Sequence, residues 1–168
     1  VAPNFAQSRQ AWNELKQFIP KDMVVRRKQG QIGGRGDGWR EDERAVWMRL
    51  KSPDLVRREV YMEIKSADDP ESLQTAGPDF IWITESQDIK EAAWNKLRPM
   101  LNSSGRLGRG CIEGIPPFTR NHWFSKLFKW SQENPTEDYE AFLATTFDNV
   151  FLTEKQKQAI RDEKSTMP

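Results

Sequence analysis

Glu85 follows almost directly on the apolar run Phe80-Ile81-Trp82-Ile83, with only Thr84 between. Four apolar residues without alternation predict a strand buried on both faces, as in a parallel sheet. Open α/β sheets bind ligands beyond the carboxyl ends of their strands. A carboxylate at that place can polarise a water for attack on a phosphate; it can equally be an acid that caps the helix that follows. Gly114-Ile115-Pro116 closes a second apolar run, and by itself reads as a strand-ending turn. Asp148-Asn149 after residues 141–147 is a turn signal of the same kind.

Other chemistries find little support. Cys111 is the only cysteine and His122 the only histidine, so neither an internal disulfide nor a His/Cys zinc cluster can be built, and a reducing compartment fits. A phosphate loop needs spaced glycines followed by Lys and then Ser or Thr at the start of a helix. The glycine-rich stretch 30–38 is followed by Trp39-Arg40, and the stretch 105–110 by Cys111, so neither qualifies. Arg35-Gly36-Asp37 reads as a chance tripeptide of a polar loop. Lys21, Arg26, Arg27, Lys28, Arg35 and Arg40 cluster in sequence, as do Arg98, Arg106 and Arg109. They read as a solvated face or as salt-dependent phosphate contacts.

The elements that must position these residues follow from periodicity. Ala11, Leu15, Phe18 and Ile19 recur at helical spacing, which predicts a helix over 6–19 stopped by Pro20. Residues 24–29 suit a short strand and 30–38 a loop. Residues 45–51 and 59–66 alternate apolar and polar and predict antiparallel strands with one wet face. Residues 66–77 form a connector with a helical turn. Helices are expected over 89–101 and 122–132, buried strands over 80–83 and 110–115, and a third strand over 141–147. Thr153 is placed to cap a last helix with Glu154 in its first turn. Strand–helix alternation in the second half predicts an α/β sheet.

Lys+Arg totals 26 against 25 for Asp+Glu, a net charge of +1, which argues against a polybasic nucleic-acid binder while leaving room for a local basic groove. Charged residues make up 30% of the 168. No apolar run approaches the ~20 residues of a membrane span, and no leader pattern is visible. The chain opens on Val1-Ala2-Pro3, an apolar start broken by proline, and is expected to be a piece of a larger protein.

Taken in order, these pieces resemble one family. Val1-Ala2-Pro3 with Gln7, Trp12 and Leu15 resembles the second strand and helix of tailed-phage large terminase ATPase domains. Ile64-Lys65-Ser66-Ala67-Asp68-Asp69-Pro70-Glu71-Ser72-Leu73 is similar to the stretch before their acidic motif, and 80–85 to their Walker B strand. Trp94, Leu97, Pro99 and Leu101 resemble the next helix, Gly114-Ile115-Pro116 the coupling motif with the helix of 121–128 after it, and Thr145-Thr146-Phe147-Asp148-Asn149 the late strand and turn.

The resemblance implies a partial P-loop NTPase-like α/β domain over 1–168, of the additional-strand type. Its mainly parallel sheet would be flanked by helices and carry an antiparallel insertion, with the first strand and phosphate loop absent. It implies ATP and Mg2+ as cofactors, Glu85 as the catalytic carboxylate, and Thr84 as a cofactor and metal contact, weak or through water, where the family usually has Asp. Gly114, Ile115 and Pro116 would be the coupling residues. Implied partners are double-stranded DNA, the capsid portal, the small terminase subunit and further copies in a ring, in the cytoplasm of an infected or prophage-carrying bacterium. A nuclease domain would follow in the full protein. The absent first strand would lie between strands 110–115 and 141–147, leaving a gap, a rearranged sheet or a place for a neighbouring chain. Three other readings stand beside it: an interaction or nucleic-acid-binding module with a motor-like sheet and no ATPase activity, a helicase-type ATPase, and an inactive prophage remnant.

Overall fold

A computed structural model describes residues 1–24, 45–50, 58–74, 77–102, 105, 107–136 and 138–166. The strand expected over 24–29, the loop of 30–38 and most of the first basic cluster therefore fall outside the described residues. The chain divides into two compact units, Val1–Phe124 and Ser125–Pro168.

The first unit opens with helix α1 (Phe5–Phe18). Asn4 starts it: its side-chain oxygen accepts from the Gln7 N–H at 3.0 Å, and its amide nitrogen donates to Gln7 Oε1 at 2.7 Å. One otherwise orphaned N–H of the first turn is thereby satisfied, and the second bond ties the two side chains together. Trp12 is the buried centre of its inner face, with Leu15, Ile19, Val24, Val60, Met62 and Ile64 packed around it. Val60 and Met62 come from strand β2 (Arg58–Glu63), which pairs antiparallel with β1 (Ala45–Leu50) in the register Ala45↔Glu63 to Leu50↔Arg58. Tyr61, between them, is 40% exposed. This is the wet-faced hairpin that the alternation predicts.

The second sheet is parallel. Strands β3 (Phe80–Ile83) and β4 (Arg109–Ile112) pair from Phe80↔Arg109 to Ile83↔Ile112. Val1 and Ala2 extend it on the other side of β3. The Val1 amine donates to the Trp82 carbonyl at 2.7 Å, and Thr84 N–H donates to the Val1 carbonyl at 3.0 Å. Ala2 in turn bridges Ser66 in parallel, with Ala67 N–H donating to its carbonyl at 2.9 Å. The order across this sheet is thus 65–67, 1–2, β3, β4.

After the bridge at Ser66, Asp69 caps a single 3₁₀ turn, Pro70–Leu73, accepting from Glu71 N–H at 3.1 Å. Helix α2 (Glu91–Met100) carries Pro99 in its last turn, and Lys96 reaches Glu71 at 2.7 Å. That pair is mostly solvated, so it contributes little. Leu73, Ile81, Ile83, Ile89, Ala93 and Leu97 are all buried.

Two expectations for these strands need correction. Strand β3 is not enclosed on both faces: Ile81 and Ile83 are buried, while Phe80 and Trp82 are 59% and 42% exposed. Strand side chains alternate between faces, so an unbroken apolar run is compatible with one face left open. Strand β4 is shorter than 110–115 and carries exposed residues at Arg109, Gly110 and Cys111. Among the described residues it pairs only with β3.

Helix α3 (Trp123–Glu133) continues into the second unit, where Ser131 Oγ donates to the Leu127 carbonyl at 2.9 Å. Tyr139 meets Trp130 edge to face at 5.0 Å, beside the Thr136↔Tyr139 bridge. The strand expected over 141–147 does not form. The Gln132 side chain takes the Ala141 carbonyl at 2.6 Å, and Thr146–Asp148 is a 3₁₀ turn. Asp148 accepts from Thr145 N–H at 2.6 Å and from Thr145 Oγ1 at 2.7 Å. The Thr145 hydroxyl and then its backbone N–H hold the Asp148 carboxyl below its usual range. A strand needs a partner, whereas Thr and Asp offer the backbone a local alternative; here the local one wins. Helix α4 (Glu154–Thr166) follows, with Thr153 and Gln156 in reciprocal capping contacts of 2.9 Å and 3.3 Å. Arg161 lies over the Phe147 ring at 5.0 Å.

Candidate active site

The chain leaves β3 through a sharp backbone turn. Thr84 is fixed by its N–H bond to the Val1 carbonyl. Glu85 then takes φ 54° and ψ 47°, the only positive φ of a non-glycine among the described residues. A left-handed conformation costs an L-residue roughly 1–2 kcal/mol. Such strain collects where a structure has a use for it. A one-turn 3₁₀ helix, Ser86–Asp88, starts at once, and Asp88 N–H donates to the Glu85 carbonyl at 3.0 Å.

The capping role open to Glu85 is not the one it takes. Its side chain makes no cap hydrogen bond to this turn, and α2 begins later, after Lys90. The carboxylate is exposed at the tip of β3, where a ligand of an α/β sheet is expected. Among the described residues it is met by Gln87, whose Nε2 donates to Glu85 Oε2 at 2.6 Å and to Asp88 Oδ2 at 3.3 Å.

The segment 114–116 lies against the same turn. Gln87 Oε1 accepts from the Ile115 N–H at 3.1 Å, and Ser86 N–H donates to the Glu113 carbonyl at 3.0 Å. Gly114 permits this approach: a Cβ there would collide with Gln87 Oε1, lie 2.9 Å from Ser86 N and meet the Phe124 ring at 3.3 Å. The structure therefore brings Thr84, Glu85, Gly114 and Ile115 to one place, and Pro116 continues the exposed chain beyond it. The hydroxyl of Ser86 is buried with no hydrogen-bond partner among the described residues. Arg98 and Arg109 are exposed on α2 and β4.

Gln87 is the residue that sequence reasoning misses. Its proximity to Glu85 is readable, two positions on, but its second partner is 28 residues away. No local pattern announces that contact.

Among the described residues no group of three or more His, Cys, Asp or Glu side chains could hold a metal ion alone. Magnesium carried by nucleotide phosphates asks less of a protein, since it keeps several waters and needs one or two protein oxygens. The neutral hydroxyl of Thr84 and the carboxylate of Glu85, adjacent at one strand tip, fit that lighter demand. No helix of the described residues is long and apolar enough to cross a membrane.

No protein-family model matches the chain, and no curated protein matches it. Solved structures do. The large terminase ATPase domain of Thermus phage P74-26 superposes with a TM-score of 0.62 at 19% identity, covering 99% of this chain and 69% of that one. An arginine-to-alanine variant of the same domain gives 0.61 at 20% identity, covering 99% and 70%. The α/β arrangement of a parallel sheet with helices thus belongs to a known architecture. This chain has the α/β fold of a phage large-terminase ATPase domain.

Proposed function

We propose that the chain is the ATPase part of a viral DNA-packaging motor, a large terminase that couples ATP hydrolysis to movement of double-stranded DNA into a procapsid. The observation that carries the reading is the Glu85 carboxylate, held at the tip of β3 by a left-handed backbone and left exposed rather than spent on a helix cap. The shared fold supports it.

On this reading Glu85 orients or deprotonates the water that attacks the terminal phosphate, a role typically worth ~10²–10⁴ in rate. Phosphoryl transfer asks for positioning and charge neutralisation more than for covalent chemistry. Magnesium bound with ATP would supply the neutralisation, and Thr84 would hold it weakly or through water. Gly114, Ile115 and Pro116 pass the state of the site to the parts that grip DNA. The partners are duplex DNA, the capsid portal, the small terminase subunit and further copies in a ring, and the compartment is the host cytoplasm.

The 168 residues contain no glycine loop running into Lys and Ser or Thr. The polypeptide alone is therefore expected to hydrolyse ATP negligibly. The decisive measurement is made in a protein that joins these residues to such a loop. There Glu85→Gln should lower ATP turnover about 10²- to 10⁴-fold while ATP binding persists. Unchanged turnover in that variant overturns the assignment.

A further inference from the structure

We propose that Gln87 is a positioning residue that ties the Glu85 carboxylate to the backbone of the segment 114–116, so that this segment governs whether the carboxylate is held or free. The inference rests on the reading of Glu85 given above and adds the regulation of that site.

The carboxamide of Gln87 has one donor end and one acceptor end on a single rigid plane. Its donor end holds Glu85 Oε2 at 2.6 Å and its acceptor end holds the Ile115 N–H at 3.1 Å. The orientation is chemically forced. A backbone N–H can only donate and an ionised carboxylate can only accept, so the amide cannot be turned round and keep both bonds. A shift of residue 115 that breaks the acceptor bond frees the plane to rotate, and the donor end leaves Glu85 with it. Held, the carboxylate has one oxygen engaged; released, both oxygens can accept from water.

The surroundings restrict the contact to this one arrangement. Ser86 N–H is clamped to the Glu113 carbonyl at 3.0 Å, which fixes the turn against the approaching strand end. Gly114 leaves space that any side chain would fill, and one of the obstacles is the backbone nitrogen of Ser86, which cannot step aside as a flexible side chain could. Gly114 and Gln87 therefore act as two halves of one contact. Asp88, at 3.3 Å from the same Nε2, is the nearest competing acceptor.

The first test is made on the 168-residue chain and needs no nucleotide. The exchange protection of the Ile115 amide hydrogen is followed by NMR. It should fall in Gln87→Leu, which removes the acceptor, and in Glu85→Ala, which removes the anchor of the donor end, and persist in Asp88→Asn. Protection unchanged by Gln87→Leu or by Glu85→Ala overturns the proposal. The second test uses the loop-bearing protein and reads the ratio of DNA-stimulated to basal ATP turnover. Gln87→Leu and Gly114→Ala should each reduce that ratio about 2- to 30-fold, and the double variant should do no more than either alone. Parallel loss of basal and stimulated turnover, or full additivity, overturns the coupling role. If instead Glu85→Gln leaves turnover intact, it is the assignment of Glu85 that fails, whatever Gln87 does.

Discussion

At the scale of single residues, Trp123 shows how much a side chain can do that its sequence position does not disclose. Its indole nitrogen donates to the Ile89 carbonyl at 2.6 Å, in a buried place just beyond the Ser86–Asp88 turn, and its ring stacks on Trp94 at 5.9 Å. The contact pins the segment between β3 and α2 from the far end of the same stretch that holds Glu85. Trp123→Phe keeps an aromatic ring and deletes the donor. Loss of a buried hydrogen bond of this kind should cost about 1–3 kcal/mol, read as a lower urea midpoint at unchanged slope. An unchanged midpoint would mean that the bond adds nothing to the fold. Glu85 itself was legible, because an apolar run followed by an acid marks a strand tip whatever lies around it. Gln87 and Trp123 were not, since each acquires its meaning from a partner 28 or more positions away in sequence.

At the scale of elements, what was legible depended on whether the signal is periodic or contextual. The α1 helix and strand β2 stand where their periods of 3.6 and 2 place them, because Leu15 of the helix and Val60 and Met62 of the strand pack onto Trp12. The expected strand 141–147 failed because β-propensity describes a fit to neighbours, and the local Thr145–Asp148 contacts outbid a ladder that had no partner. Val1–Ala2 is the opposite case, two residues made into a strand by the neighbours on either side. In a polypeptide beginning at Val1, burial lowers the pKa of the amine from 8.0 to about 6. The folded state thus carries fewer protons than the unfolded one between those values. Stability should rise as pH increases from about 6 to 8 and level off above. After solvent screening the gain is of order 1 kcal/mol. Thermal midpoints across that window check it, and N-terminal acetylation should remove the slope. A slope that persists after acetylation belongs to another group.

At the scale of the whole molecule, the sheet carries an open side that bears on behaviour in solution. Strand β4 offers its second edge to no other strand among the described residues. Phe80 and Trp82 leave one face of β3 exposed beside it. An unprotected edge next to apolar surface is a template for pairing with another chain. Repulsion does little to oppose this, since the net charge is +1 and the isoelectric point is about 8.0. The 168-residue chain should therefore associate with rising concentration near pH 8 in reducing buffer, as read by sedimentation velocity. Cys111 is exposed on β4, which makes it the place to test the cause. Cys111→Lys sets a charge on the edge, the device by which natural sheets avoid such pairing, and should shift the chain toward monomer at equal concentration. If the native chain stays monomeric throughout, the open edge of β4 does not drive pairing. If the native chain associates and Cys111→Lys does not change it, the contact runs instead through the exposed face at Phe80 and Trp82, and a Trp82→Lys variant should be the one that disperses it.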